Sequence, residues 1–181
     1  MAAEPRREGA VHERAAFRIA AVRRGAMLAS PQLPMNVPIS ALLQRKGAAV
    51  HGIPPTLSIF EAVAEMNRLR IGAIVILENG KLAGIFTERD VLRRVVGAGI
   101  DPQAVRVSEV MTRDVLTVAP ELSVEDVAAL FTERRCRHLP VVSGGNLVGL
   151  ISIGDISRWV ADAHQAEAEH LRNYIAGGLP G

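Results

Sequence analysis

Gly84-Ile85-Phe86-Thr87-Glu88-Arg89-Asp90 returns 65 residues later as Gly149-Leu150-Ile151-Ser152-Ile153-Gly154-Asp155. Each copy reads glycine, two apolar residues, a hydroxyl residue, two variable positions and aspartate. Each closes an apolar run and stands before a helix-like segment. The correspondence runs without a gap from Val50 to Asp90: Val50 matches Val115, Pro55 matches Pro120, Leu57-Ser58 matches Leu122-Ser123, Arg70 matches Arg135, Gly80 matches Gly145 and Leu82 matches Leu147. A fixed internal period sets architecture before any local pattern does, and two copies of so long a period describe a tandem domain pair rather than a solenoid.

Within the unit, Ser58-Ile59-Phe60-Glu61 has the form of a capping box, followed by apolar residues at Ile59, Ala62, Val63, Met66 and Leu69 on one helical stripe. The second copy starts at Ser123 and carries Val124, Val127, Ala128 and Phe131. Ala73 to Leu77 is rich in β-branched residues, Asn79-Gly80 suits a tight hairpin turn, and Leu82 to Phe86 makes the return strand. Leu139 to Val142, Gly144-Gly145 and Leu147 to Ile151 repeat this pattern. A short strand near Val50 to Ile53, or Val115 to Val118, precedes the first helix, and a second helix follows Asp90 or Asp155. The unit is β-α-β-β-α. Val107-Ser108-Glu109-Val110-Met111 echoes Ile39-Ser40-Ala41-Leu42-Leu43, so each unit also has a short lead-in helix. A long polar helix, roughly Ile156 to Ala176, closes the chain before Gly177-Gly178, with Leu171, Tyr174 and Ile175 as an apolar cluster suited to a partner.

Composition narrows the function classes. The chain has 181 residues, 49% hydrophobic and 3% aromatic, with one cysteine. Its apolar runs are far short of the roughly 20 residues that cross a bilayer, which suggests a soluble protein. Cys136 has no internal partner for a disulfide, compatible with a reducing cytoplasm. So few aromatics cannot build a base-stacking platform. The pI near 9.2 is misleading. Before Met35, six arginines face three glutamates, a net +3, so residues 35–181 carry −1 of the whole-chain +2. The folded part therefore makes no electrostatic case for nucleic acid. Residues 1–34 are expected to be a disordered Ala/Arg-rich extension without an export signal, because arginines interrupt their apolar stretches. Met35 stands directly before the repeat, which would fit an upstream start codon; N-terminal sequencing of the native protein tests this.

The repeated stretch can carry ligand chemistry. Glycine permits close approach to the backbone. Thr87 or Ser152 stands where a helix N-terminus favours phosphate, and Asp90 or Asp155 can accept two hydrogen bonds from a ribose diol. The same residues, Thr87-x-x-Asp90 and Ser152-x-x-Asp155, are also capping boxes that need no ligand.

With Arg137-His138-Leu139-Pro140-Val141-Val142 before the second copy, the tandem repeat resembles a pair of cystathionine-β-synthase (CBS) domains, a Bateman module. The resemblance covers about residues 37–160, and Ala168 to Gly177 resembles the tail of small stand-alone bacterial members. It implies a mixed α/β (α+β) fold of two tandem β-α-β-β-α units packed with pseudo-twofold symmetry, plus a long C-terminal helix. The expected divisions are 35–100 for the first domain, 101–162 for the second and 163–181 for the C-terminal helix and tail. It also implies clefts between the units that bind adenosine nucleotides (AMP, ADP, ATP or an NAD-type dinucleotide) as effectors, with no obligatory cofactor. Carried over by position, Asp90 and Asp155 would hold ribose, Thr87 and Ser152 would lie by phosphate, and Ile53, Thr117 and Val118 would flank adenine. Arg89, present in one copy only, and Arg137 and His138, present in the other, would make the clefts unequal. His138 is equally readable as a hydrogen-bonded structural histidine.

Two other classes compete. No Ser/His/Asp arrangement and no Walker loop supports an enzyme. His164-x-x-Glu167-x-x-His170 is the nearest approach to a metal site, but such a charged helical face is usually solvated. The other class is a ligand-free dimerisation or interaction module, with Val91, Leu92, Val95, Val96, Trp159 and Val160 as candidate interface residues. The expectation is a cytoplasmic, non-enzymatic, homodimeric sensor of a regulated partner that the sequence does not name, with no nucleic-acid or membrane contact.

Overall fold

The computed structural model describes residues 35–47 and 49–177, and the readings that fall on residues 1–34, on 178–181 and on the side chains of Glu167, His170, Leu171, Tyr174 and Ile175 lie outside the described residues. Its elements are α1 (Ile39–Lys46), β1 (Gly52–Ile53), α2 (Ile59–Leu69), β2 (Ala73–Glu78) and β3 (Lys81–Thr87). A short helix α3 (Glu88–Asp90) continues as a π-helical stretch (Val91–Val96), then follow α4 (Val107–Val110), α5 (Val124–Glu133), β4 (His138–Ser143), β5 (Asn146–Ser152) and α6 (Ile153–Gly177). The capping box at Ser58 has both halves: Ser58 Oγ accepts from the Glu61 N–H and Glu61 accepts from the Ser58 N–H at 2.8 Å. Asn79 and Gly80 both have positive φ, 51° and 76°, which a two-residue hairpin turn requires.

β1 pairs parallel with β2, and β2 antiparallel with β3. In the second unit β4 and β5 form the same hairpin, but the expected strand from Val115 to Val118 shrinks to one parallel bridge between Val118 and Val141. Proline explains the loss. Val75 donates its N–H to the His51 carbonyl, while its repeat counterpart, Pro140, has no N–H to give.

The packing exchanges the lead-in helices between the units. α1 puts Ile39, Leu42 and Leu43 into the core of the second unit with Val124, Val127 and Ile151, while α4 puts Val107 and Val110 into that of the first with Ile59, Met66 and Phe86. The exchange is reciprocal in its hydrogen bonds: Ile39 N–H donates to the Leu122 carbonyl, and Val107 N–H to that of Leu57, each at 2.8 Å. Buried aliphatic side chains are worth about 1.5–3 kcal/mol each, so three of them fix α1 more firmly than any exposed ion pair. A third cluster, with Ala73, Val75, Leu82, Ile85 and Val115 against Val142, Leu147 and Leu150, lies between the two sheets and joins the units.

This placement revises the reading of the repeated glycine. A Cβ on Gly84 would lie 2.6 Å from Met111 Sδ and 2.9 Å from the Thr112 carbonyl, and one on Gly149 would lie 2.6 Å from Leu43. The close approach that glycine permits is made by the other unit's lead-in segment, not by a ligand.

Candidate functional site: the cleft between the units

Thr87 ends β3 in an extended conformation and caps the helix that follows. Asp90 Oδ2 accepts from Thr87 N–H at 3.0 Å and from its hydroxyl at 2.7 Å, while Thr87 Oγ1 accepts from the Asp90 N–H. Ser152 and Asp155 make the same bonds at the start of α6, at 2.8 and 2.7 Å, with the return bond at 3.2 Å. Both copies are therefore genuine capping boxes. Capping uses one carboxylate oxygen and leaves Oδ1 for other work.

Around Thr87 and Asp90 the two units enclose a cleft of about 960 Å³. Its walls carry six arginines, Arg89, Arg93 and Arg94 from the first unit and Arg134, Arg135 and Arg137 from the second, against Glu88, Asp90, Asp114 and Glu133. The cleft is therefore cationic by two charges with its histidine neutral. Arg89 reaches across it and donates to the Arg135 carbonyl at 2.8 Å, tying the units together. That carbonyl belongs to a residue in the left-handed region, φ 50°, just beyond α5. Arg94 donates to the Val110 carbonyl at 2.7 Å and lies 3.4 Å from Asp90 Oδ1.

Five of the ten residues singled out by sequence meet in this cleft: Thr87, Arg89, Asp90, Arg137 and His138. Ser152 and Asp155 occupy the equivalent position in the other unit, where Asp155 is paired with Lys46 at 2.6 Å. Ile53 and Val118 are packed inside the two cores, and Val115 and Leu116 are the residues of the second unit's first segment that line the cleft. Thr117 is fully buried, and among the described residues its Oγ1 has no hydrogen-bond partner. The sequence reading missed Arg93, Arg94 and Arg134. Arg93 and Arg94 follow Arg89 and Asp90 by four residues, so one helical face carries all four, and that spacing was the available signal.

Titration fits this arrangement. Burial pushes the His138 imidazole down, Lys46 and Arg137 add to the effect, and Asp155 and Glu88 oppose it. Burial likewise pushes the Cys136 thiol up, which Arg89 and Arg134 only partly offset, so it stays protonated near neutral pH. For Asp155, burial acts to raise the carboxyl, but hydrogen bonds from Lys46 and Ser152 outweigh it and hold the group below its ordinary value.

An exchanged pair of α/β units around a shared cationic cleft defines a tandem-domain module, and the CBS domain family model matches residues 49–97 and 107–162. The chain belongs to the CBS-domain family. It is 35% identical over 149 residues to the mitochondrial CBS domain-containing protein CBSX3 of Arabidopsis thaliana, covering 77% of this chain and 72% of that protein. Among solved structures, the CBS domain protein NE2398 is similar with a TM-score of 0.65 and 41% identity, over 67% of this chain and 96% of that one. The hexameric CBS-CP12 protein of bloom-forming cyanobacteria is similar with a TM-score of 0.61 and 29% identity, over 80% and 85%. No helix among the described residues is long and apolar enough to cross a membrane.

Proposed function

We propose that this chain is a non-catalytic regulatory module that binds an adenosine nucleotide (AMP, ADP, ATP or an NAD-type dinucleotide) in the Thr87–Asp90 cleft. The observation that carries this reading is the convergence of six arginines from both units on a cleft of about 960 Å³ whose floor is a helix N-terminus and a carboxylate. That volume suits a nucleotide. Guanidinium groups grip phosphate in planar, bidentate geometry, and Asp90 Oδ1, 3.4 Å from Arg94, would accept from a ribose diol. A phosphate that recruits Arg89 competes with its bond to the Arg135 carbonyl, so binding would loosen one tie between the units and form another. That shift would be the signal passed to a regulated partner in the cytoplasm.

Calorimetry of the full chain with AMP, ATP and NAD tests the reading. Asp90→Asn should weaken binding about tenfold or more, since a buried charged acceptor is lost. Absence of heat with all three nucleotides would rule the reading out.

A homodimer accompanies this function. Leu92 and Val96 are 66% and 68% exposed on the π-helical stretch, one turn apart, and Phe60 is 54% exposed. Apolar surface of this kind is covered when copies pair, and the cyanobacterial relative is hexameric. A strictly monomeric sedimentation profile at high concentration would remove the homodimer and the interaction-module alternative with it.

A further inference from the structure

The two capping carboxylates are the same position of the repeat, yet only one has a lysine on it. Lys46 Nζ lies 2.6 Å from Asp155 Oδ2 and donates to the Leu150 carbonyl at 3.0 Å. It arrives there because α1 is exchanged into the second unit, where Leu43 packs over Gly149. The last turn of α1 is further fastened to α6 by an ion pair between Arg45 and Asp162, with the Arg45 guanidinium 5.8 Å from the centre of the Trp159 ring.

The lead-in helices correspond residue by residue, Leu43 with Met111, and each of these covers the glycine of the opposite unit. Three residues beyond Leu43, Lys46 still belongs to α1, whereas three beyond Met111 the chain has left α4 and Asp114 lines the first cleft. Where Asp155 meets an ammonium, Asp90 has another carboxylate in its cleft. The cation beside Asp90 is Arg94, whose 3.4 Å approach is well beyond the roughly 2.7–2.9 Å of a charge-assisted bond, and whose firm bond goes to Val110. The variable positions add to the contrast: Glu88 and Arg89 become Ile153 and Gly154, so the second position has no guanidinium equivalent to Arg89.

We propose that Lys46 sets the nucleotide stoichiometry of the chain: it occupies the ribose-binding carboxylate of the second unit, so that one nucleotide binds per chain, in the Thr87–Asp90 cleft. This rests on the nucleotide reading above. Lys46 Nζ neutralises Asp155 from its capping oxygen Oδ2 and is anchored by the Leu150 carbonyl, so a diol approaching Asp155 meets a carboxylate already held in an ion pair and only 15% exposed. At Asp90 the Arg94 guanidinium stands 3.4 Å from Oδ1 and is held by the Val110 carbonyl, a looser contact than the 2.6 Å ion pair at Asp155.

Calorimetric titration of the full chain with AMP, and separately with ATP, decides the matter. The wild type should take up one equivalent. Lys46→Met and Lys46→Gln, which keep the aliphatic stem and remove the charge, should take up a second, and Lys46→Arg should remain at one. Adding Asp90→Asn to Lys46→Met should weaken one of the two equivalents about tenfold or more and leave the other, in the second unit, unchanged. Two equivalents in the wild type, or one in both uncharged variants, overturns the proposal. Absence of binding by every protein instead overturns the nucleotide reading, and this proposal with it. The side chain of Lys46 is 38% exposed and its replacements keep α1 apolar where it is buried, and thermal melting of each variant confirms that the fold is retained.

Discussion

Thr87-Glu88-Arg89-Asp90 and Ser152-Ile153-Gly154-Asp155 cap their helices with matching hydrogen bonds, but different cations surround them. The first opens on a cleft of six arginines with Asp114 on its wall; the second is closed by Lys46. What the repeat preserves is scaffold: the cap, the hairpin, and the glycine under the exchanged lead-in. Charge is supplied by Lys46 of a lead-in helix at Asp155 and by arginines of both units around Asp90. A duplicated motif in this chain therefore does not come with duplicated charge surroundings.

Three contrasts test how far the two halves differ, the largest effect first. Gly84→Ala meets a main-chain carbonyl at 2.9 Å as well as Met111, whereas Gly149→Ala meets only the branched end of Leu43. Backbone yields less than a side-chain terminus, so Gly84→Ala should cost about 2 kcal/mol and Gly149→Ala about 1 kcal/mol in urea unfolding. Equal losses would show that the exchanged helices sit on equally compliant seats.

Thr117 has Gly52 as its repeat counterpart and buries a hydroxyl without a partner among the described residues. Thr117→Val removes that orphan at nearly constant shape and should stabilise by roughly 1 kcal/mol. A loss of stability, or a loss of nucleotide affinity with stability intact, would give the hydroxyl a role that the packing does not show.

The smallest effect separates His138 from its counterpart Ala73. Burial foremost lowers the folded imidazole pKa, so the unfolded chain takes up a proton near its ordinary value of about 6.5 while the folded chain does not. Below that pH the unfolded state binds more protons, and stability must fall as the pH drops, levelling off only below the folded pKa. Melting temperatures at about pH 7.5 and about pH 5.5 should reveal this slope, and His138→Gln should flatten it. A wild-type profile already flat in this window would mean that the imidazole is as well solvated as in the unfolded chain.

Much of the architecture was legible from period and punctuation. Ser58 and Glu61, Asn79-Gly80 and Gly144-Gly145 each impose a local geometry that needs no distant partner, and the structure places a cap and two turns there. Pro140 was legible too, since a residue without an N–H cannot extend a parallel ladder, yet its consequence for Val115 to Val118 emerges only when the strands are paired. Half of the site was visible, because Thr87, Arg89 and Asp90 lie within four residues of one another. Arg134 and Asp114 were not, since nothing local marks which side of a loop faces a neighbouring unit. The π-helical stretch from Val91 to Val96 has no evident signal in its residues.

The sequence by itself determined the two-unit plan, the order of elements and the chemistry of the capping boxes, because these depend on residues a few positions apart and on a period that needs no fold to be seen. What the glycines are for, and which capping carboxylate meets a lysine, emerged only from the packing. Those answers depend on the exchange of α1 and α4, which is driven by burying Ile39, Leu42, Leu43, Val107 and Val110 in cores distant along the chain. Hydrophobic burial has no direction along the sequence. It carried Lys46 to Asp155 across 109 residues, and no local pattern could have announced that meeting.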